Sequence, residues 1–367
     1  MTVFLAGAFG QGNPGDEALL QAFAGGLEGF GPVAASADPT ATTAEHGVAA
    51  VHRDDVRRVA NEIARADGVV VAGGTIFKTL HPSSGRAPLS LLRRTAALAA
   101  MTRGLRKPLA LVGVGAAPLR GRPAATLARA IVRAATLLIL RDEESAAHLA
   151  EAGAPTPMRV GADAAWTLVG MERPALDAGD DRPIVVALSH LAGGRDLADR
   201  LAAGLGPVVA SGLTVRLDPW QPEGDAELAA AVAARLEAEV APPPADLLSA
   251  SRDMAGARLV LAQRFHALVA AAAAGVPVLA VAHEPKLEGL ARRLEQPAVA
   301  ADAPPAELTA AVFGAVDGPP PAALAVERER TAAQAAFRLL RVLLSRGRTD
   351  EAVDVDGLTL RPQEWLG

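Results

Sequence analysis

Short, wholly apolar runs alternate along this chain with longer segments in which Ala and Leu are interleaved with Arg, Asp and Glu. In the first half the apolar runs fall at residues 3–8, 68–72, 109–113 and 137–140. Runs of this length with no polar alternation suit strands covered on both faces, which is the situation of parallel strands. The interleaved segments predict helices over 16–27, 54–66, 89–103, 124–134 and 143–152. Strand, helix, strand in this rhythm predicts a doubly wound α/β sheet. The stretch 172–183 carries acids, Gly and Pro without periodicity and reads as a boundary. The rhythm then restarts, with strands predicted at 184–188, 213–217, 258–261 and 276–281 and helices at 197–205, 226–240, 265–274 and 286–294. The predicted organisation is a first Rossmann-like domain over 1–171 on the acceptor side, a linker over 172–182 and a second Rossmann-like domain over 183–320 on the donor or anion side. A C-terminal helix over 321–345 and a tail over 346–367 complete it. Two such halves facing across a cleft are the expected architecture, and a cleft of that kind is where ligands bind.

Composition narrows the function classes. The 367 residues are enough for two domains, and half of them are hydrophobic, so two cores can be filled. Aromatic residues are scarce at 3%, which leaves small aliphatic side chains to fill the interior. The formal net charge of −5 argues against a surface built to neutralise a nucleic-acid backbone. There is no cysteine, which excludes disulfides, thiolate metal sites and a thiol nucleophile and fits a cytoplasmic setting. The start, Met1 to Glu17, reads as a first strand and its loop, not as a signal peptide. The longest apolar stretch, 267–282, is broken by Gly-Val-Pro and falls short of the ~20 residues a bilayer span needs. The expected location is the cytoplasm, with the inner membrane face as an extension of it.

The candidate chemistry gathers where predicted strands end and helices begin. The loop Gly10-Gln11-Gly12-Asn13-Pro14-Gly15-Asp16-Glu17 follows the first strand. Its glycines let backbone approach a ligand, Asn13 or Asp16 can cap the helix, and free amides there suit an anion. It matches neither the dinucleotide fingerprint nor a P-loop. An ordinary strand-to-helix turn is the equal alternative. Gly73-Gly74-Thr75 and Val112-Gly113-Val114-Gly115 are further Gly-rich strand exits. Arg141, directly after a strand, can hold a carboxylate or phosphate, or pair with Asp142 or another nearby acid. Asp163 reads as a cap or turn residue. The segment Gln263-Arg264-Phe265-His266 precedes a nearly pure Ala/Val/Leu helix. Arg264 and His266 lie two apart at a helix start, where amides favour an anion and a His can serve as general acid or base. Lys286, in His283-Glu284-Pro285-Lys286, can meet a phosphate or pair with Glu284 or Glu288. His46, His52, His81, His148 and His190 show no metal-ligand spacing, and no metal or cofactor is expected. No Gly-x-Ser-x-Gly elbow is present, which argues against a serine hydrolase.

Taken in order, these stretches resemble the polysaccharide pyruvyl transferase family. The resemblance runs over residues 3–295, from the first loop through Ala72-Gly73-Gly74-Thr75, Arg141-Asp142-Glu143-Glu144-Ser145 and Gly161-Ala162-Asp163. It continues through Arg264-Phe265-His266-Ala267-Leu268 to Glu284-Pro285-Lys286. It implies an α/β fold of two Rossmann-like domains, as in two-domain GT-B-type glycosyltransferases. It also implies transfer of a pyruvyl group from phosphoenolpyruvate to a saccharide, forming a pyruvate ketal on a cell-wall or extracellular polysaccharide precursor. The implied catalytic residues are His266, Arg264 and Asp16. The implied substrate-binding residues are Asn13, Gly15, Glu17, Gly73, Gly74, Arg141, Gln263 and Lys286. The implied partners are phosphoenolpyruvate and a saccharide acceptor, free or lipid-linked, with a homo-oligomer left open and no nucleic acid. Departures occur where Lys78-Thr79 stands in place of Gln-Asp and His283-Glu284 in place of aromatic-Asp, and they bear on the acceptor. Two alternatives stand beside this reading. One is a nucleotide-sugar-dependent glycosyltransferase on the same architecture. The other is a non-catalytic saccharide-binding member of the family.

Overall fold

A computed structural model describes residues 1–80, 85–155, 158–170, 181–194, 196–345, 353–355 and 358–360. The chain begins β1 (Thr2–Phe9), α1 (Pro14–Gly26), β2 (Gly31–Ser36), α2 (Pro39–His46), β3 (Ala49–His52), α3 (Val56–Arg65), β4 (Gly68–Ala72) and β5 (Thr75–Phe77). It continues with α4 (Ser90–Gly104), β6 (Leu109–Ala116), α5 (Arg122–Ala134), β7 (Leu137–Leu140), α6 (Glu143–Glu151) and β8 (Arg159–Val160). The second series is β9 (Ile184–Leu188), α7 (Leu197–Ala210), β10 (Val215–Pro219), α8 (Pro222–Leu236), β11 (Glu239–Val240), α9 (Leu247–Met254) and β12 (Leu259–Ala262). Then come α10 (Phe265–Ala273), β13 (Val278–Ala282), α11 (Pro285–Arg293), β14 (Ala298–Ala300), α12 (Pro305–Ala315), α13 (Ala323–Ser345), β15 (Val353–Val355) and β16 (Leu358–Leu360).

The described residues form two compact units. The first comprises Met1–Gln11, Leu19–Ala164 and the chain from Thr331 onward, and the second Gly12–Ala18 and Ala165–Arg330. The division is not a single cut. The first turn of α1 belongs to the second unit while the rest of that helix belongs to the first, and α13 is divided at Thr331. Most of the predicted linker lies outside the described residues, as does most of the tail apart from the antiparallel pair β15–β16.

In the first unit a parallel sheet runs in the order β3-β2-β1-β4-β6-β7-β8, with β5 attached to β6. Its core is built by Phe4, Val69, Val71, Leu109, Leu111 and Leu140 from the strands, packed by Ile63, Leu92, Ile131 and Leu149 from the helices. In the second unit a parallel sheet runs β11-β10-β9-β12-β13-β14. Ile184, Val186, Leu261, Leu279 and Val281 meet Leu201, Leu205, Val232 and Val312 in its core. The helix α10 is rich in Ala, with Ala at its last four positions, and is buried along almost its whole length, so that end of the helix can lie close to its neighbours where larger side chains would hold it away.

In each sheet the strand order reverses once. The chain runs from β1 to β2 and β3 on one side, then to β4, β6 and β7 on the other. In the second sheet it runs from β9 to β10 and β11, then to β12, β13 and β14. The loops at such a reversal diverge and open a crevice at the carboxyl ends of the two strands, which is where open α/β sheets bind ligands. For the first sheet these loops follow β1 and β4, and for the second they follow β9 and β12. Among the described residues no helix is long and apolar enough to cross a membrane.

Candidate functional site

In the first unit the residues singled out from the sequence are tied into the scaffold. The amide of Gly73 donates to the Val112 carbonyl at 2.9 Å, and the Gly74 carbonyl accepts from the Gly115 amide at 2.8 Å. The turn after β4 is therefore sewn to β6. Arg141 leaves the end of β7 and is only 3% exposed. Its Nε donates to Asp142 Oδ2 at 3.0 Å, its Nη2 to Thr75 Oγ1 at 3.3 Å, and its Nη1 lies 3.6 Å from Asp163 Oδ2. Of the two roles open to Arg141, the structure shows the ion pair. Asp163, immediately before the short 3-10 turn Ala164–Thr167, is also a buried partner of Arg141. Asp142 caps α6, accepting from the Ser145 amide at 2.8 Å. Burial alone would raise its carboxyl. The Arg141 charge and the hydrogen bonds from Ser145 and Arg141 outweigh burial and hold it below the usual range.

In the second unit the structure brings together the first turn of α1 and the starts of α10 and α11. Asn13 precedes α1, and its Oδ1 accepts from the Gly15 amide at 3.0 Å while its carbonyl accepts from the Glu17 amide at 3.0 Å. Asn13 is thus the capping residue of that helix. Gly15 is required for a steric reason. A Cβ there would stand 2.1 Å from His266 Nδ1, so the imidazole occupies the space a side chain would need. His266 lies in the first turn of α10, edge-on to Phe265 with ring centroids 5.5 Å apart. Asp16 is half-buried beside it. Burial raises the Asp16 carboxyl above the usual carboxylate range, with Glu17 adding to the rise. The charges of His266, Lys286 and Arg264 pull it back only in part. Lys286 follows Pro285, the first residue of α11, and its Nζ pairs with Glu284 Oε2 at 2.5 Å.

Arg264 is not a freely exposed cation. Its Nη2 donates to Asp225 Oδ1 at 2.6 Å and its Nε to Asp225 Oδ2 at 3.0 Å and to the Leu188 carbonyl at 3.2 Å. The hydrogen bonds it makes among the described residues run through Nε and Nη2, and the side chain is 13% exposed. Gln263 is buried. Its Oε1 accepts from the Ser189 amide at 3.0 Å, and its Nε2 has no partner among the described residues.

Asp225 and His190 are the residues that reading the sequence missed. Asp225, in the first turn of α8, is fully buried. It accepts from the amides of His190 and Gln221, both at 2.9 Å, and lies 2.7 Å from His190 Nδ1. It therefore joins the loops after β9, β10 and β12. Burial would raise its carboxyl, but the Arg264 charge and hydrogen bonds, with those of His190, hold it low. Gly224, at φ +81°, packs against the imidazole, where a Cβ would lie 2.7 Å from the ring. A signal for His190 existed, since it follows the strand β9 just as His283 follows β13. Asp225 carries no signal in sequence, because only the fold brings it to that loop. Among the described residues no three His, Asp or Glu side chains are grouped so as to hold a metal ion.

Two parallel α/β units, each with polar groups at the carboxyl ends of its strands, define an α/β fold of doubly wound sheets. The polysaccharide pyruvyl transferase family matches residues 13–285, and the chain belongs to that family. A comparison with curated proteins finds no match. Among solved structures, UDP-GlcNAc 2-epimerase from Methanocaldococcus jannaschii is 11% identical with a TM-score of 0.62, over 93% of this chain and 100% of that one. S. aureus MnaA, solved with UDP, is 10% identical with a TM-score of 0.62, over 98% of each chain. Anabaena HepE in complex with UDP is 16% identical with a TM-score of 0.60, over 94% of this chain and 99% of that one. These likenesses show the fold, and they agree with the α/β, GT-B-type class expected from the sequence.

Proposed function

We propose that this chain transfers the pyruvyl group of phosphoenolpyruvate to a saccharide, forming a pyruvate ketal on a precursor of a cell-wall or extracellular polysaccharide. The observation that carries this reading is the grouping of Asp16, His266, Lys286 and Arg264 in one unit around three helix starts, all but Lys286 inside the family match. Phosphoenolpyruvate bears a carboxylate and a phosphate. Helix amides at α10 and α11, the Lys286 ammonium and the remaining face of the Arg264 guanidinium suit both anions. Lys286 would exchange its Glu284 partner for the donor. Ketal formation requires protons to leave two sugar hydroxyls and one proton to reach the enol methylene. His266 is the group assigned to take up or deliver a proton at the reacting carbon. The half-buried Asp16 carboxylate, whose charge is incompletely offset, stabilises positive charge developing on the former enol carbon. A lipid-linked acceptor would be met at the inner membrane face. The test is phosphate release from phosphoenolpyruvate with a panel of saccharides. The His266→Asn variant should fold and bind donor while turning over ~10²-fold or more slowly.

A second reading, nucleotide-sugar chemistry, is favoured by the fold likeness to proteins solved with UDP. Thermal unfolding separates the two. The true donor, supplied at a hundred times its Kd, stabilises by about 2.7 kcal/mol. Phosphoenolpyruvate should give that shift and a UDP-sugar should not.

A further inference from the structure

We propose that His190, oriented by Asp225, is a second proton acceptor in the same site. The inference rests on the pyruvyl-transfer reading. The ketal reaction breaks two O–H bonds. In the first half, a sugar oxygen bonds to the enol carbon of phosphoenolpyruvate, its proton leaves, and the C=C electron pair takes a proton to become a methyl group. In the second half, the bond from that carbon to the phosphate oxygen breaks and its electron pair departs on phosphate. The second sugar oxygen then bonds to the same carbon and its proton leaves, finally to the phosphate. One proton ends on the methyl carbon and one on inorganic phosphate. A single imidazole would have to accept and deliver a proton in both halves, whereas two imidazoles can each serve one.

The structure supplies the second imidazole in a form fit for that task. His190 Nδ1 lies 2.7 Å from a carboxylate oxygen of Asp225. Asp225 is fully buried and held ionised by Arg264, so the nitrogen facing it must carry the hydrogen. In the neutral ring that places the lone pair on Nε2. The side chain is 33% exposed, so this nitrogen is open to a ligand while the other is anchored. The ring is further held by the backbone of Gly224 and by the His190 amide on the same carboxylate. The position is also right. His190 follows β9 and Arg264 follows β12, the two strands at which the second sheet reverses order. Arg264 shares Asp225 with His190 and lies two residues from His266, so one carboxylate links both loops.

His190→Asn decides between this role and a purely structural one. The Asn amide can still donate to Asp225 in place of Nδ1, but nothing replaces Nε2. With phosphoenolpyruvate and saccharides presenting 1,2- and 1,3-diols, the variant should keep its melting midpoint and bind donor within about twofold of wild type. Its kcat for phosphate release should fall ~10²-fold with KM for donor unchanged. Imidazole nitrogen NMR of the full chain should show, for the neutral ring, the hydrogen on Nδ1 and not on Nε2. Near-normal kcat in His190→Asn, with wild type active, overturns the proposal and leaves pyruvyl transfer intact. Wild type that releases no phosphate with any acceptor overturns the pyruvyl-transfer reading itself. A neutral ring protonated at Nε2 and bare at Nδ1 overturns the dyad whatever the activity, including the case in which the variant fails to fold.

Discussion

Both units of this protein hold an arginine against a buried aspartate at the end of a parallel strand, and the two clusters differ in what they leave open. Around Arg141, the guanidinium is 3% exposed and its partners Asp142 and Asp163 are 1% exposed, so the whole cluster is sealed. Around Arg264, only Asp225 is sealed, while the guanidinium is 13% and His190 33% exposed. The same chemistry thus serves two ends. A sealed ion pair joins strand ends and caps a helix, and a half-open one leaves a guanidinium and an imidazole partly exposed. The number of acids the fold brings to an Arg at a strand end therefore sets how much of its guanidinium stays exposed.

The largest expected effect tests the sealed side. Arg141→Ala leaves Asp142 and Asp163 without their cation, and removing one partner of a buried pair costs about 3–5 kcal/mol. Denaturant unfolding checks this, and a loss below about 1 kcal/mol would erase the contrast. Arg264→Ala should cost less, about 1.5–3 kcal/mol as for a charged hydrogen bond, because Asp225 keeps its three contacts from His190 and Gln221. An equal cost at both positions would mean that the second cluster is as sealed as the first.

Asp16 sharpens the contrast between function and stability. Its carboxyl is raised, so its contribution to stability is present below the unfolded value of ~3.9 and is lost as pH rises through the raised folded value. Asp16→Asn removes that penalty at neutral pH. The variant should melt higher than wild type and turn over more slowly, which thermal unfolding and phosphate release together would report. The smallest effect is in acid. Asp142 and Asp225 are held low, so the stability they contribute is present above ~3.9 and is lost as pH falls through their folded values. Unfolding midpoints measured from pH 5 downward should fall less steeply in Asp142→Asn and Asp225→Asn than in wild type.

The fold was legible where strands are buried on both faces. The runs at 68–72, 137–140 and 184–188 coincide with β4, β7 and β9, and the other predicted strands lie within three residues of those observed. The elements missed are of another kind. β2 opens on Gly-Pro, and β3 is a four-residue edge strand with no buried position, so neighbouring strands supply the pairing that their own sequence does not announce. The helix expected over 226–240 begins at Pro222 and ends at Leu236, because Glu237 adopts φ +52° and the chain turns into β11. Site residues on a single loop, such as Asn13 and His266, were visible because helix-start chemistry is local. Asp225 was not, since its partners at 190, 221 and 264 meet only through the order of β10, β9 and β12.

Proton NMR of a single reaction shows whether phosphoenolpyruvate is the donor, as proposed. With wild type and an accepted saccharide, the vinyl protons of phosphoenolpyruvate should disappear as a ketal methyl singlet and inorganic phosphate rise in equal amounts. In His266→Asn the same conversion should run ~10²-fold or more slowly. Phosphoenolpyruvate left intact with every acceptor, while a UDP-sugar is consumed under the same conditions, would contradict the account.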